Sequence, residues 1–336
     1  MSDTALEQFI RKLRDHLPET AIRQDPSTLA YYGTDWTRFV TPQASAVIFP
    51  GSTEDVQRIV LAANEHQIAL VPSGGRTGLS GGAVAANGEV VVSMERLNHI
   101  GEVNIIERTI TVGAGAITAN VQEAAKAHGL FFPVNFASAG SSQIGGNIAT
   151  NAGGINVIRY GNIRRWVAGL TVVTGRGDCL RLGKGLIKDA TGYDLRHLFI
   201  GSEGTLGMIT EAELWLTAPP PNTQVVVLAV AQFSDVMSVL QAFREKLNLQ
   251  AFEFFSSVAL KHVTRHRNLP PLGLAPTPYY VLLEVEQPSV QSENDLMTCF
   301  EQCVEQGWVV DGVASQSEQQ KAMLWQYREG ISESIS

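Results

Sequence analysis

Residues 71–82 read Val71-Pro72-Ser73-Gly74-Gly75-Arg76-Thr77-Gly78-Leu79-Ser80-Gly81-Gly82. The apolar run Ile68-Ala69-Leu70-Val71 just before them reads as a short buried strand, so this is a loop leaving a strand end. Its glycines free the backbone for positive φ. Several amide N–H groups can then point to one side, with the hydroxyls of Ser73, Thr77 and Ser80 as further donors. One reading is an anion-binding nest suited to a pyrophosphate; the plainer one is a flexible surface loop. The Gly-Lys-Ser/Thr ending of a Walker loop is absent.

A second segment is richer still: Gly140-Ser141-Ser142-Gln143-Ile144-Gly145-Gly146-Asn147-Ile148-Ala149-Thr150-Asn151-Ala152-Gly153-Gly154. Small residues alternate with amide and hydroxyl side chains, which lets a flat aromatic ligand lie against backbone while polar groups bond its edge. A buried crossing of two tight turns is the structural alternative. Glycine pairs cost backbone entropy, so several of them in one region favour a ligand. A lesser candidate, Gly113-Ala114-Gly115, has Thr118 where a dinucleotide fingerprint needs its third glycine, and it reads as a tight strand-to-helix turn.

The elements around these segments alternate. The spacing predicts a helix over 4–16, a strand at Ala46–Pro50, a helix over 54–66 capped by Ser52 or Thr53, strands at 89–93 and 108–112, and a helix over 118–128 ended by Gly129. Leu170–Thr174 and Cys179–Leu182 flank Gly175-Arg176-Gly177-Asp178, which is hairpin chemistry. Three prolines, Pro219-Pro220-Pro221, stop any element. Strand, helix, strand and helix follow at 224–230, 233–247, 279–286 and 292–306. A domain over 1–220 and a second beginning at 221 are expected, the second unfinished at Ser336.

Bulk properties narrow the function classes. The chain has 336 residues, 44% hydrophobic and 17% charged, which suits globular domains and not large-scale disorder. A net charge of −8 gives no general attraction to nucleic acid. No apolar run of membrane-spanning length and no secretory leader are read, and three cysteines cannot form a disulfide framework, so a cytoplasmic location is expected. Cys299 and Cys303 share a helix face and read as core residues. His262 and His266, four apart with no acid to complete a metal site, read as a solvated helix end, and no metal site is expected.

Taken with Arg159-Tyr160-Gly161, Lys188-Asp189-Ala190-Thr191-Gly192-Tyr193-Asp194-Leu195 and Leu198-Phe199-Ile200-Gly201-Ser202-Glu203-Gly204-Thr205-Leu206-Gly207, both glycine segments resemble the vanillyl-alcohol-oxidase-type, or PCMH-type, FAD-linked dehydrogenases. Within these the chain is most similar to D-2-hydroxyglutarate dehydrogenases, with the glycolate oxidase and D-lactate dehydrogenase flavin subunits close behind. The resemblance implies an α+β fold: a two-subdomain PCMH-type FAD-binding domain, then an α+β substrate (cap) domain that is incomplete relative to the family.

It also implies roles. Pro72, Ser73, Gly74, Gly75, Arg76, Thr77 and Gly78 would hold the FAD pyrophosphate. Pro133, Asn135, Ala139, Gly140, Ser141, Ser142, Gly145, Asn147, Thr150, Asn151 and Gly153 would line the flavin and ribityl chain, and Gly204 and Ile209 the adenine side. Arg76 stands where some relatives carry a histidine bonded to the flavin, so non-covalent FAD is expected. Asn135-Phe136 departs from the Asp-containing form of many relatives. Arg328 is similar to the family arginine that grips the substrate carboxylate, with Ser332 one helical turn on. The family's proton-accepting and metal-binding histidines are expected beyond residue 336, leaving the catalytic residue unassigned.

The implied reaction is oxidation of a D-2-hydroxy acid to the 2-oxo acid, most similar to that of D-2-hydroxyglutarate dehydrogenases. A D-lactate or glycolate dehydrogenase subunit, and an FAD-binding fragment without turnover, remain alternatives. Electrons would pass to a separate acceptor, an electron-transfer protein or a quinone. An oligomer is compatible with the sequence.

Overall fold

The computed structural model describes residues 3–37, 39–183, 185–287 and 289–335. The chain start at Met1-Ser2 and its end at Ser336 lie outside the described residues. In chain order the first stretch comprises α1 (Asp3–Arg14), β1 (Ile22–Arg23), α2 (Pro26–Tyr32), β2 (Ala46–Ile48), α3 (Thr53–His66), β3 (Leu70–Ser73) and β4 (Val90–Ser93). Then come β5 (Ile100–Asn104), β6 (Thr109–Gly113), α4 (Thr118–Lys126), α5 (Ile144–Ala149), α6 (Val157–Tyr160), β7 (Val167–Thr174), β8 (Cys179–Leu182), α7 (Arg196–Phe199) and β9 (Gly207–Trp215). After the prolines follow β10 (Thr223–Val230), α8 (Asp235–Lys246), β11 (Leu249–Ser256), α9 (Ser257–His266), β12 (Tyr279–Glu286), α10 (Val290–Glu305), β13 (Val309–Ala314), α11 (Glu318–Glu329) and α12 (Ile331–Ile335).

Two units emerge, and neither is contiguous: Met1–Gly153 with Asn162–Ala218, and Gly154–Gly161 with Pro219–Ser336. A single cut near residue 220 therefore leaves out one detail, the segment 154–161 that joins the second unit.

In the first unit, β2 and β3 each pair parallel with β4, and β1 closes the other edge in the order β1-β2-β4-β3. Ala46, Ile48, Val90 and Val92 face a core shared with Phe9, Leu13, Val56 and Ile59, while Val47 and Val91 face a smaller cluster with Phe49. Strands buried on both faces explain the continuous apolar runs. Ser52 caps α3, its hydroxyl accepting from the Asp55 amide at 3.1 Å. The helix returns the chain to β3, which ends at Ser73. The glycine loop thus lies at the carboxyl end of a parallel strand, where α/β sheets place ligands.

An antiparallel sheet of order β5-β6-β9-β7-β8 completes the unit. The β7–β8 hairpin turns with Gly177 at φ +88°. The second unit is one antiparallel sheet, β11-β12-β10-β13, with helices on both faces. Val226, Leu228, Leu283 and Val285 pack with α8 and α10, including the buried Cys299 and Cys303. Val225, Val227, Tyr280 and Leu282 pack with α9 and α11.

Candidate functional site

The loop after β3 and the start of α5 meet through backbone. A β-carbon on Gly75 would collide with the Ser141 carbonyl oxygen, and one on Gly145 would come within 2.6 Å of the Ala114 methyl. Gly204, at φ +80°, sets its turn against the ring of Pro72. These approaches enclose a cavity of about 320 Å³ in the first unit. It is walled by residues 72–78, by Gly145, Asn147 and Thr150, and by Gly204 and Ile209, which gathers twelve of the expected cofactor residues around one space.

The remaining expected residues sit around this wall, outside the cavity lining. Ser142 is 1% exposed and bonds inward: its hydroxyl lies 2.8 Å from that of Thr118, which accepts from the Asn147 carboxamide at 2.6 Å. This buried trio fixes the first turn of α5. Ala139 holds α4 through its carbonyl, which accepts from the Ala119 amide at 3.0 Å, and Asn151, at φ +50°, turns the chain after α5. Pro133 is buried, Asn135 and Gly153 are half-buried, and Gly140 and Ser141 are exposed.

Several cavity residues carry signals that a reading by composition misses. Ser73 Oγ and Gln143 Oε1 are buried without a hydrogen-bond partner, and both residues line the space. A buried unpaired polar atom costs about 1–3 kcal/mol, so an exogenous donor or acceptor is called for. A β-carbon on Gly146 would meet nothing within 4 Å, which leaves bare backbone facing the opening. Asp35 and Glu203 bring carboxylates to the rim, near Gly78 and Gly82. Backbone nest, orphaned hydroxyl and amide, and hydroxyl-accepting carboxylates together match the phosphates, ring edge and ribose of a flavin dinucleotide.

Arg76 is held unusually. Its φ is +56°, and its guanidinium lies 4.3 Å from the ring centroid of Tyr31 and 4.4 Å from that of Tyr32. The Tyr32 hydroxyl donates to Glu95 at 2.7 Å; burial first, and that bond second, push the phenol up to about 12. Both tyrosines end α2, whose cap is Asp25, accepting from the Thr28 amide at 3.0 Å.

In the second unit, Arg328 is on the last turn of α11. Its Nε donates to Glu253 Oε2 at 2.8 Å, and a terminal nitrogen lies 2.6 Å from the same oxygen. Gly330 ends α11, and Ser332 is exposed in α12. Burial raises the neighbouring Glu329 carboxyl, with Arg267 and Arg328 opposing the shift. His262 and His266 are exposed on α9. Among the described residues, no group of three or more His, Cys, Asp or Glu side chains is placed to hold a metal ion.

Residues 44–183 match the FAD binding domain family, and residues 219–336 match the C-terminal domain of FAD linked oxidases. A D-2-hydroxyglutarate dehydrogenase of Stutzerimonas stutzeri is 54% identical over 336 residues, covering 100% of this chain and 72% of the relative. The chain belongs to the D-2-hydroxyglutarate dehydrogenase family. The family's FAD is the cofactor that the cavity chemistry fits, and the enzyme class is FAD-linked oxidoreductase. A mitochondrial member from Bos taurus is 35% identical over 315 residues, covering 93% of this chain and 58% of the relative. The fold is shared more widely. p-Cresol methylhydroxylase with substrate bound superposes with a TM-score of 0.79 at 16% identity, covering 98% of this chain and 72% of the other. The 4-ethylphenol oxidase of Gulosibacter chungangensis gives 0.78 at 19% identity, covering 100% and 72%. No helix of the described residues is long and apolar enough to cross a membrane.

Proposed function

We propose that this chain is the flavin-bearing part of a dehydrogenase that oxidises D-2-hydroxyglutarate to 2-oxoglutarate. The observation that carries the reading is the cavity in which the 72–78 loop, the start of α5 and the Gly204–Ile209 segment converge around Ser73 Oγ and Gln143 Oε1, both lacking a partner. Bound FAD supplies an acceptor for the α-hydride at N5 of its ring. The chain's own residues do the holding. Amides of 73–78 would hold the pyrophosphate, the bare backbone at Gly146 would admit the ring, and Asp35 and Glu203 would accept from ribose hydroxyls.

Arg76 supports non-covalent attachment, since a guanidinium engaged by two rings offers the flavin no nucleophile. Arg328 grips a substrate carboxylate, with Ser332 assisting, and so orients the α-carbon. Electrons leave for a separate electron-transfer protein or quinone. Three free cysteines support a cytoplasmic location. The test is anaerobic titration of the purified yellow chain with D-2-hydroxyglutarate, D-lactate and glycolate. Bleaching of the flavin band at the lowest concentration by D-2-hydroxyglutarate is expected. Bleaching by none of the three, or preferentially by D-lactate or glycolate, overturns the substrate assignment.

A further inference from the structure

A guanidinium has two usable edges. The side edge pairs Nε–H with one hydrogen of a terminal nitrogen, and the end pairs one hydrogen from each terminal nitrogen. Glu253 Oε2 takes the side edge of Arg328, at 2.8 Å to Nε and 2.6 Å to the terminal nitrogen Nη2. The Arg328 side chain makes no other hydrogen bond or ion pair among the described residues, so the end pair is left for a planar anion. The Arg328 side chain keeps 31% of its surface exposed, while Glu253 keeps 20%.

The placement of Glu253 follows from sheet register. Glu253 pairs with Leu282 and Ala251 with Glu284, so Glu253 lies on the face of β11 and β12 that packs under α9 and α11. A carboxylate on a packed face is costly without a partner. The same helix face carries Trp325, three residues before Arg328, whose indole N–H donates to Glu284 Oε2 at 2.9 Å. Leu324 and Tyr327 are buried beside it. Helix α11 is therefore docked by Trp325, Leu324 and Tyr327. Glu253 is not needed to dock it, and what Glu253 adds is the orientation and charge balance of one side chain.

We propose that Glu253 is a positioning residue for substrate binding: it holds Arg328 by the side edge, presents the end pair to the substrate carboxylate, and cancels the guanidinium charge toward other anions. The proposal rests on Arg328 as the substrate-binding residue. A side chain held in one geometry loses less freedom on binding, and a neutralised pair draws generic anions weakly. Selectivity then comes from fit to a carboxylate rather than from net charge.

The test measures binding of D-2-hydroxyglutarate to the FAD-loaded chain by calorimetry, with and without chloride. Glu253→Gln keeps an acceptor at the same place while uncovering the charge, so its Kd is expected to rise about tenfold when chloride is added, where that of wild type holds. Glu253→Asp keeps the charge but withdraws the oxygen, so its Kd rises while chloride has little effect. A merely structural role would not separate the two variants by their response to chloride. Arg328→Ala with an unchanged Kd, or a wild-type chain that binds no D-2-hydroxyglutarate, overturns the substrate reading itself. Arg328→Ala weakened while Glu253→Gln matches wild type in Kd and chloride response overturns the positioning role alone. Should the Glu253→Gln chain fail to fold, Glu253→Asp decides by the same comparison: a raised Kd supports the role, an unchanged one ends it.

Discussion

Gly75 and Ser141 touch backbone to backbone: a β-carbon on Gly75 would run into the Ser141 carbonyl oxygen and stand 2.9 Å from the Ser142 α-carbon. Neither atom can swing aside as a side chain would. Gly75→Ala therefore has to part the two loops, at about 1–3 kcal/mol of overpacking, and is expected to yield a colourless protein with a lowered melting temperature. Gly146→Ala is the matched control. Its methyl enters open space, so the melting temperature should hold while flavin affinity, read by fluorescence quenching, falls.

At Arg76 two effects of similar size oppose each other. Replacing it by glycine relieves a left-handed φ of +56°, at roughly 1 kcal/mol, and removes two cation–π contacts of about 0.5–1 kcal/mol each. Arg76→Gly is expected to melt near wild type yet bind FAD more weakly. Acid precipitation of the wild-type chain should release its flavin into the supernatant; flavin retained in the pellet would contradict non-covalent attachment.

The cap of α2 gives a pH dependence. Hydrogen bonds from the Ser27 hydroxyl and the Thr28 amide hold the Asp25 carboxyl at about 2, below its usual 3.8. The folded value is depressed, so this contribution is present above pH 3.8 and is lost as pH falls through about 2. Asp25→Asn keeps an acceptor without the titration. Its melting-temperature deficit against wild type should therefore hold from pH 5 down to 3.8 and shrink from there toward pH 2, and a constant deficit throughout would count against the assignment.

Glu286 is 7% exposed and accepts from Gln250 at 2.6 Å, Asn248 at 3.0 Å and Arg159 at 3.1 Å. Glu286→Ala removes the acceptor that the buried Gln250 carboxamide, Asn248 and Arg159 share. It should destabilise the second unit by about 1–3 kcal/mol in urea melts. Glu286→Gln, which keeps acceptor capacity, should lose less.

Much of the first unit is legible from local signals. Ser52 and the periodicity of 53–66 mark α3, Gly129 at φ +68° closes the turn after α4, and Gly175–Asp178 marks the β7–β8 hairpin. Those features depend on neighbours in sequence. Others depend on partners far along the chain and leave no local trace. Ser73 and Gln143 become a matched pair of unpaired atoms only when two loops meet, and Tyr31 and Tyr32 matter because α2 brings them under Arg76. Glu253 reads as one acid in an aromatic strand until the register with Leu282 puts it beneath α11. Ser142, by contrast, has the composition of a ligand contact, but Thr118 claims its hydroxyl.

The excursion of Gly154–Gly161 into the second unit has a consequence for the order in which the molecule is made. Arg159 leaves the ribosome 127 residues ahead of Glu286, its partner. During synthesis the first unit can close its own sheets while this short strap waits for β11 and β12. The two units thus mature as an interleaved pair, and a nascent chain halted between them would carry a flavin cradle whose trailing edge has nothing yet to fasten to.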